Sequence, residues 1–201
     1  MSDFMQEYFI LERPDNDRLP LLVPDANTEA MKYWDEKFKY KGTPLFFNDQ
    51  YKQSRGDDYL PPVVHSLLFL HDDIIIDGKA KQIMVDELAI QGVNFVPSVF
   101  INEEWLEDYW YLQGIDEIDC WCRNKSDYNP KPRRSTGWHY VYKYVLNSSI
   151  LEKIPLEKRM VFKMGGVSMP IICVHSSIVE TMKSKLNVID DFFIPLADYE
   201  S

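Results

Sequence analysis

Residues 72–97 read DDIIIDGKAKQIMVDELAIQGVNFVP, and residues 170–195 read PIICVHSSIVETMKSKLNVIDDFFIP. At a constant offset of 98 the two segments keep apolar residues in register, whereas polar positions change, as where His175 stands opposite Asp77. Such a repeat predicts a reused packing unit and not a reused active site. The matched apolar pairs are Ile76 with Val174, Met84 with Met182, Leu88 with Leu186, Phe95 with Phe193 and Val96 with Ile194.

Each repeat copy, at about 72–98 and about 170–196, predicts an apolar strand, a helix and a closing strand that ends at proline. The expected helix N-caps are Asp77 in the first copy and Ser176 or Ser177 in the second. The apolar residues at helical spacing are Ala80, Met84 and Leu88 in the first copy, and Ile178, Met182 and Leu186 in the second.

The segments around the copies favour strands. Residues 1–60 form a β-leaning lead-in, in which the polar segment 51–58 predicts an exposed loop. Residues 124–137 predict a long basic loop. No low-complexity linker divides the chain, so one α+β domain or two closely packed halves are allowed. We predict a single compact α+β domain over residues 1–201, with the repeated unit packed on mostly antiparallel strands. The other expected strands are 99–101, 109–112, 140–146 and 160–164.

The charge of the chain is concentrated in its first part. The formal net charge is −10, with 24 acidic against 10 basic residues in 1–122 and 8 against 12 in 123–201. An anionic body repels phosphate backbones, so nucleic-acid binding is disfavoured. It attracts a partner protein that is basic on its contact face, although excess acid also serves solubility alone.

Cysteine usage and the N-terminus indicate the compartment. The three cysteines are odd in number, and the only close pair is two residues apart, which favours a reducing environment. The first residues lack the basic start and apolar run of a signal peptide, and no apolar run approaches the roughly 20 residues that span a bilayer. We therefore expect a soluble cytoplasmic protein without a membrane partner.

Residues that could carry chemistry are few. Cys120 and Cys122 with His139 could supply metal ligands, but zinc sites usually have a two-residue spacer and a second ligand pair. A nucleophilic cysteine paired with His139 or His175 is the basis of an alternative function, a small cysteine-dependent hydrolase or transferase. If the segment is a strand, the two nearby cysteines point together into the core. We expect no catalytic residue, metal or cofactor.

The most unusual surface candidate is the segment 102–111, in which four acidic residues are interleaved with four aromatic residues. Aromatic side chains supply contact area at binding hot spots, and carboxylates pair with basic groups of a partner. The alternative is that Trp105, Tyr109 and Trp110 are core residues with the acids outside. The predicted partner-binding residues are Glu103, Glu104, Trp105, Glu107, Asp108, Tyr109, Trp110, Asp116 and Glu117.

A series of short motifs runs through residues 64–196: 109–112 (YWYL), 115–119 (IDEID), 125–126 (KS), 145–147 (VLN), 158–162 (KRMVF), 172–175 (ICVH) and 193–196 (FIPL). The order of these motifs resembles the immunity proteins of bacterial polymorphic toxin systems, in the family numbered eleven. The resemblance implies a non-catalytic protein that binds a toxin encoded beside it and blocks its activity. It transfers no catalytic residue and does not identify the toxin. The sequence also leaves the oligomeric state open, and a separate hypothesis is a structural or assembly subunit of a phage or secretion particle.

Overall fold

A computed structural model describes residues 4–16, 18–35, 38–59, 61–71 and 73–200 of the chain. The predicted α+β class is confirmed. The helices are α1 (Phe4–Glu7), α2 (Ala26–Ala30), α3 (Gln50–Arg55), α4 (Gly78–Gln82), α5 (Ser148–Leu151), α6 (Leu156–Arg159) and α7 (Ser176–Lys185). The strands are β1 (Tyr8–Leu11), β2 (Leu22–Pro24), β3 (Leu45–Asp49), β4 (Leu67–Leu70), β5 (Asp73–Asp77), β6 (Asn94–Ile101), β7 (Trp105–Gln113), β8 (Glu117–Ile118), β9 (Asp127–Tyr128), β10 (Val141–Lys143), β11 (Val161–Met164), β12 (Ile172–His175) and β13 (Phe193–Pro195).

Two mixed sheets and a short ribbon organise these strands. The larger sheet has the order β2-β3-β6-β7-β5-β4, the smaller has the order β13-β1-β12-β11-β8, and β9 pairs with β10. Most neighbours are antiparallel, and the parallel pairs are β3 with β6 and β8 with β11. Residues 114–116 carry the chain from β7 in one sheet to β8 in the other.

The two repeat segments occupy equivalent places in the two sheets. In the larger sheet, β5 and β6 flank β7, and α4 connects them. In the smaller sheet, β12 and β13 flank β1, and α7 connects them. The preceding strands β4 and β11 form hairpins with β5 and β12. The middle strand of the first unit is β7, which directly follows β6 in the chain. The middle strand of the second unit is β1, which comes from the beginning of the chain. The first residue of the first copy, Asp72, lies outside the described residues.

The largest buried cluster lies between the facing sides of the two sheets. Both repeat helices contribute to it, with Met84 following α4 and with Ile178 and Met182 in α7. Alternate residues of the strands point to a second cluster behind the smaller sheet or to a third behind the larger one. Both sheets are therefore apolar on both faces, which explains strand runs such as β4 and β5 that do not alternate with polar residues.

The helices are short and depend on caps and packing. α4 passes directly into a π-helical turn, Ile83–Glu87, after which the chain turns away. The longest described helix, α7, has ten residues and buries Ile178, Val179 and Met182. No helix within the described ranges is both long enough and apolar enough to cross a membrane.

Several expectations for local structure were wrong. The closing strand of the first copy does not end at Pro97, because β6 continues to Ile101 and includes the separately predicted strand 99–101. The segment 51–58 is not a loop, because Asp49 caps α3 by accepting from the Tyr51 amide, and a 3-10 turn follows at Gly56–Asp58. The lead-in therefore contains helices as well as strands. The predicted strand 140–146 is reduced to β10, since the chain leaves the ribbon after three residues.

The N-caps of the two repeat helices are equivalent residues of the two copies. Asp77 caps α4, as predicted, and its carboxylate accepts from the Ala80 amide at 2.7 Å. The cap of α7 is His175, not Ser176 or Ser177, and its Nδ1 accepts from the Ser177 amide at 3.3 Å. The repeat therefore keeps the capping role while it changes the chemistry of the cap.

The free energy of unfolding is expected to depend on the protonation of His175. Nδ1 accepts a hydrogen bond only when it carries no proton. Burial lowers the pKa of His175, and this effect exceeds the opposite effect of the Glu7 carboxylate, whose Oε2 lies 3.7 Å from Nε2. The stabilisation by the cap, about 1 kcal/mol, is complete above the unfolded pKa of about 6.5. It is lost as the pH falls through the lower folded pKa. Urea unfolding at a series of pH values measures this loss.

The matched variants are His175→Asn and His175→Ala. Asparagine keeps a side-chain acceptor at the cap and does not titrate, so its unfolding free energy should change less between about pH 7 and about pH 5. Alanine should lose about 1 kcal/mol at pH 7. Wild-type and His175→Asn profiles that coincide over this range would contradict the assignment of the cap.

Candidate functional site

The hairpin of β6 and β7 carries five of the nine predicted contact residues in and next to its turn. Ile101 pairs with Trp105, so residues 102–104 form the turn, and the Asn102 amide donates to the Glu104 carbonyl at 3.1 Å. We call residues 102–108 the acidic tip. It contains the carboxylates of Glu103, Glu104, Glu107 and Asp108 and the indole of Trp105.

Side chains from the α3 region hold the acidic tip in place. Lys52 Nζ donates to the Asn102 carbonyl at 2.9 Å. The Tyr59 hydroxyl lies 3.2 Å from Asn102 Oδ1 and 3.1 Å from Asp49 Oδ2, and burial raises the pKa of Tyr59 to about 12. Asp49 is itself buried at the α3 cap. A turn ordered in this way loses less conformational entropy when a partner binds.

Trp105 is the most exposed large apolar side chain among the described residues, at 61%. Its ring meets the half-buried Phe46 of β3 edge to face, with 5.6 Å between centroids. Glu103, Glu104 and Glu107 are exposed around it, and none of them forms an ion pair with a described residue. In the acidic tip, the contact with Phe46 thus orients the indole. The carboxylates around it have no cationic partner in the described part of the chain.

A β-bulge places Asp108 differently from the other acids. Ser98 pairs with Tyr109 and Phe100 with Leu106, so β7 has one extra residue here. The Asp108 carboxylate lies against Gly78 at the start of α4, where a Cβ would be 2.3 Å from Oδ1. Asp108 therefore faces the start of α4 and is less available to a partner than the other acids of the tip.

Two of the predicted contact residues lie inside the fold. Tyr109 is only 7% exposed, and its hydroxyl donates to the His65 carbonyl at 3.0 Å. Trp110 is half-buried under Lys81, whose Nζ is 3.0 Å from the ring centroid. The buried Nε1 of Trp110 has no hydrogen-bond partner among the described residues. Tyr109 thus offers little surface to a partner, and Trp110 packs under Lys81.

Two further predicted residues are exposed but distant from the tip. Asp116 and Glu117 follow the opposite end of β7, and a strand of nine residues is about 26 Å long. They flank β11, where the Lys163 amide donates to the Asp116 carbonyl at 2.9 Å. The sequence places these acids near the tip, but the strand separates them.

We expect the variants Trp110→Phe and Trp110→Ala to separate packing from binding. Phenylalanine keeps a ring under Lys81 and removes an unpaired donor, so stability should stay within about 1 kcal/mol of wild type. Alanine should cost about 2–3 kcal/mol, less than the about 3–5 kcal/mol of a fully buried tryptophan. Urea unfolding measures both values. A fully stable Trp110→Ala protein would show that Trp110 is a surface residue after all.

The cysteines do not form the pair that their spacing suggests. Cys120 is buried and burial raises the pKa of its thiol to about 12, whereas Cys122 is partly exposed. Neither residue belongs to a described strand, because Trp121 between them makes only an isolated bridge with Leu146. Burial also raises the pKa of Cys173. Two of the three thiols are thus protonated at neutral pH and are poor nucleophiles.

The histidines named with the cysteines have structural partners. His139 Nδ1 lies 2.9 Å from the Asn129 carbonyl oxygen, and its ring packs edge-on against Trp121 and Tyr128. His175 caps α7. Within the described residues, no group of three histidine, cysteine, aspartate or glutamate side chains is arranged to hold a metal ion.

Sequence reasoning missed the residues that support the tip. Phe46, Lys52 and Tyr59 lie more than 40 residues before it in the chain, and only the parallel pairing of β3 with β6 brings them close. Alternation in LFFND, residues 45–49, could have indicated that Phe46 faces away from the buried Phe47. Nothing in the sequence indicated which strand would lie beside it.

Comparison with models of known protein families found none that matches this chain. A search among curated proteins likewise found no similar sequence. The functional proposal is therefore argued from the described residues and their geometry.

Proposed function

We propose that this protein binds a secreted bacterial toxin and neutralises it by covering the active site or the substrate-binding face of the toxin. It acts in the cytoplasm, without a catalytic residue or cofactor of its own. The observation that carries the proposal is the exposed indole of Trp105 within the acidic tip, at 61% exposure.

An exposed tryptophan is a favourable anchor for a partner protein. Tryptophan is enriched among the residues that dominate interface energies, and it buries about 150–250 Å² when covered. Trp105 already rests on Phe46, so few side-chain rotamers are lost on binding. Trp105 also directly follows a turn that hydrogen bonds from Lys52 and Tyr59 to Asn102 keep ordered, which supports the same role.

The carboxylates around Trp105 favour a basic contact face. Toxins that act on nucleic acids or nucleotides carry cationic groups where they bind anionic substrates, and carboxylates of an inhibitor can occupy those positions. Glu103, Glu104 and Glu107 have no competing ion pair among the described residues, so they stay available for such contacts. Opposite charge also increases the rate of encounter.

The acidic tip alone is too small for a stable interface. A standard interface buries about 800 Å² on each partner, several times the area of one tryptophan. The toxin must therefore also cover neighbouring surface, and the outer faces of β3 and α3 next to Phe46 and Lys52 are the adjacent elements. Asp116 and Glu117 lie beyond this footprint.

Co-expression tests the proposal. The toxin domain encoded beside this protein is expressed in a susceptible bacterium with and without it, and survival is scored. For purification, this protein is co-expressed with a catalytically inactive variant of the toxin domain, and the two are purified together. We expect survival to depend on this protein and a stable one-to-one complex to be recovered.

The other outcomes separate the alternative functions. Survival without a complex would indicate an enzyme that reverses the damage, and the partly exposed Cys122 would then be the thiol to test first. Death of the cells despite soluble expression of both proteins would contradict neutralisation. Filaments or rings of this protein alone would indicate an assembly subunit.

A further inference from the structure

A cleft of about 210 Å³ lies where the turn between β4 and β5 meets the end of β1 and the 165–171 connection between β11 and β12. Its walls are partly apolar, with Phe69, Met169 and Ile172. We propose that this cleft binds an organic ammonium group. The inference does not rest on the proposed toxin binding.

Two tyrosines in the cleft have hydroxyls without a hydrogen-bond partner among the described residues. Tyr144 is 3% exposed and Tyr199 is 9% exposed, and their rings are 6.3 Å apart. No hydrogen bond joins either hydroxyl to another described residue, yet neither oxygen is enclosed away from solvent. Buried polar side chains normally have hydrogen-bond partners. Because both hydroxyls reach solvent and have no described protein partner, they are available to a ligand, and Tyr140 adds a third phenol to the lining of the cleft.

Glu12 supplies a carboxylate that forms no ion pair with a described residue, and the cleft is also lined by Arg13 and His71. Glu12 lines the cleft near Tyr199. Burial raises the pKa of Tyr199 to about 12, and the charge of Glu12 contributes to the same rise. The neighbouring Arg13 directs its Nη2 to the carbonyls of Asn16 and Leu19, at 2.9 Å and 2.7 Å. The guanidinium is thus committed to its own loop.

The other acid in the cleft is already paired. Asp73 Oδ1 lies 2.5 Å from Lys163 Nζ, and its Oδ2 accepts from the Tyr111 hydroxyl at 3.0 Å. This pair connects the hairpins of the two repeat units and is structural. Glu12 is consequently the carboxylate with capacity for a ligand.

The surroundings select a cation over an anion. A second groove shares Glu12, Arg13 and Tyr199 with the cleft and is lined by further carboxylates. Of these, Glu200 pairs with Lys143 at 2.8 Å. Anions are repelled here, whereas an ammonium group gains from Glu12 and from the faces of the tyrosine rings. The further carboxylates of the groove are Asp15, Asp191, Asp198 and Glu200.

An alkylammonium group fits this chemistry better than an inorganic cation. Its three N–H donors match the carboxylate and phenol oxygens, and its alkyl chain matches the apolar wall. The group could come from a free small amine or from a lysine side chain of a partner protein. Both sources present the same ammonium group to the cleft, so the experiment uses one probe for each source.

Calorimetric titration of the full chain with n-pentylammonium, 1-pentanol and Nα-acetyl-lysine methylamide tests the proposal. At least one of the two ammonium probes is expected to bind about tenfold or more tightly than the alcohol. Glu12→Gln should lose about tenfold or more of that affinity, and Tyr199→Phe about threefold or more. The exposed Glu157→Gln on α6 is the matched control and should bind like wild type.

Each outcome decides the question. Tighter binding of pentylammonium indicates a free amine, and tighter binding of the lysine derivative indicates a side chain of a partner. Equal binding of the alcohol, binding unaffected by Glu12→Gln, or no binding of either ammonium probe would overturn the proposal. Thermal unfolding checks the fold. Burial raises the pKa of Glu12, so its charged form is disfavoured in the fold, and Glu12→Gln should not lower the midpoint at pH 7.

Discussion

Replacing Trp105 by alanine is expected to weaken binding of the toxin domain by about 30-fold to 1,000-fold, equivalent to about 2–4 kcal/mol. The indole is the largest exposed apolar group of the acidic tip, and Phe46 holds its ring in one orientation. Stability should change by less than about 0.5 kcal/mol, because most of the side chain is exposed. Calorimetric titration measures the affinity, and urea unfolding measures the stability.

The matched control for this prediction is Trp138→Ala. Trp138 is 40% exposed and directly follows the basic segment 124–137. The next residue, His139, makes an isolated bridge with Val167 in the connection between β11 and β12. The variant removes a surface indole without touching the acidic tip, and affinity should stay within about twofold of wild type. A folded Trp105→Ala protein with wild-type affinity would exclude the tip as the centre of the interface.

Neutralising the acids of the tip is expected to slow association by about 10-fold to 100-fold at low salt. The variant replaces Glu103, Glu104 and Glu107 by glutamine, which keeps the shape of the side chains and removes three charges. Steering by opposite charge acts on the association rate, and salt screens it over about 10 Å at about 0.1 M. Stopped-flow mixing with the toxin domain at low and high salt measures the rate, and the difference from wild type should shrink as salt rises.

A second set of exposed acids provides the control for charge. Asp86→Asn, Asp116→Asn and Glu117→Gln also remove three charges from exposed positions, but none of them lies in the acidic tip. This variant should retain most of the wild-type association rate, because only a small part of the steering field is changed. Equal slowing by both variants would show that the overall charge acts, and not the tip.

The strand–helix–strand units could be predicted from sequence because apolar residues mark them at local spacing. The strand that completes each unit could not. In the second unit this strand is β1, which lies more than 150 residues before β12, and its pairing is decided by packing between distant segments. The cap of α7 was missed for a different reason. Serine is the usual capping residue, and only the geometry shows that the Nδ1 of His175 accepts the bond.

The contact residues could be predicted only in part, because a bulge changes the face to which the side chains of β7 point. By simple alternation, Trp105 and Tyr109 lie on the same face of the strand. The extra residue between Leu106 and Tyr109 moves Trp105 to the face of Phe46, while Tyr109 joins the core behind the sheet. Sequence identified the acidic and aromatic character of the segment but not which of its residues face solvent.

Titration of the activity of the toxin with this protein tests the central claim most directly. A fixed amount of active toxin domain, well above the dissociation constant, is assayed with increasing amounts of purified protein. Neutralisation by binding predicts that activity falls linearly and ends at one equivalent, with Trp105→Ala requiring a large excess. Activity that persists at several equivalents of folded protein would contradict binding, and complete loss far below one equivalent would show that the toxin is inactivated catalytically.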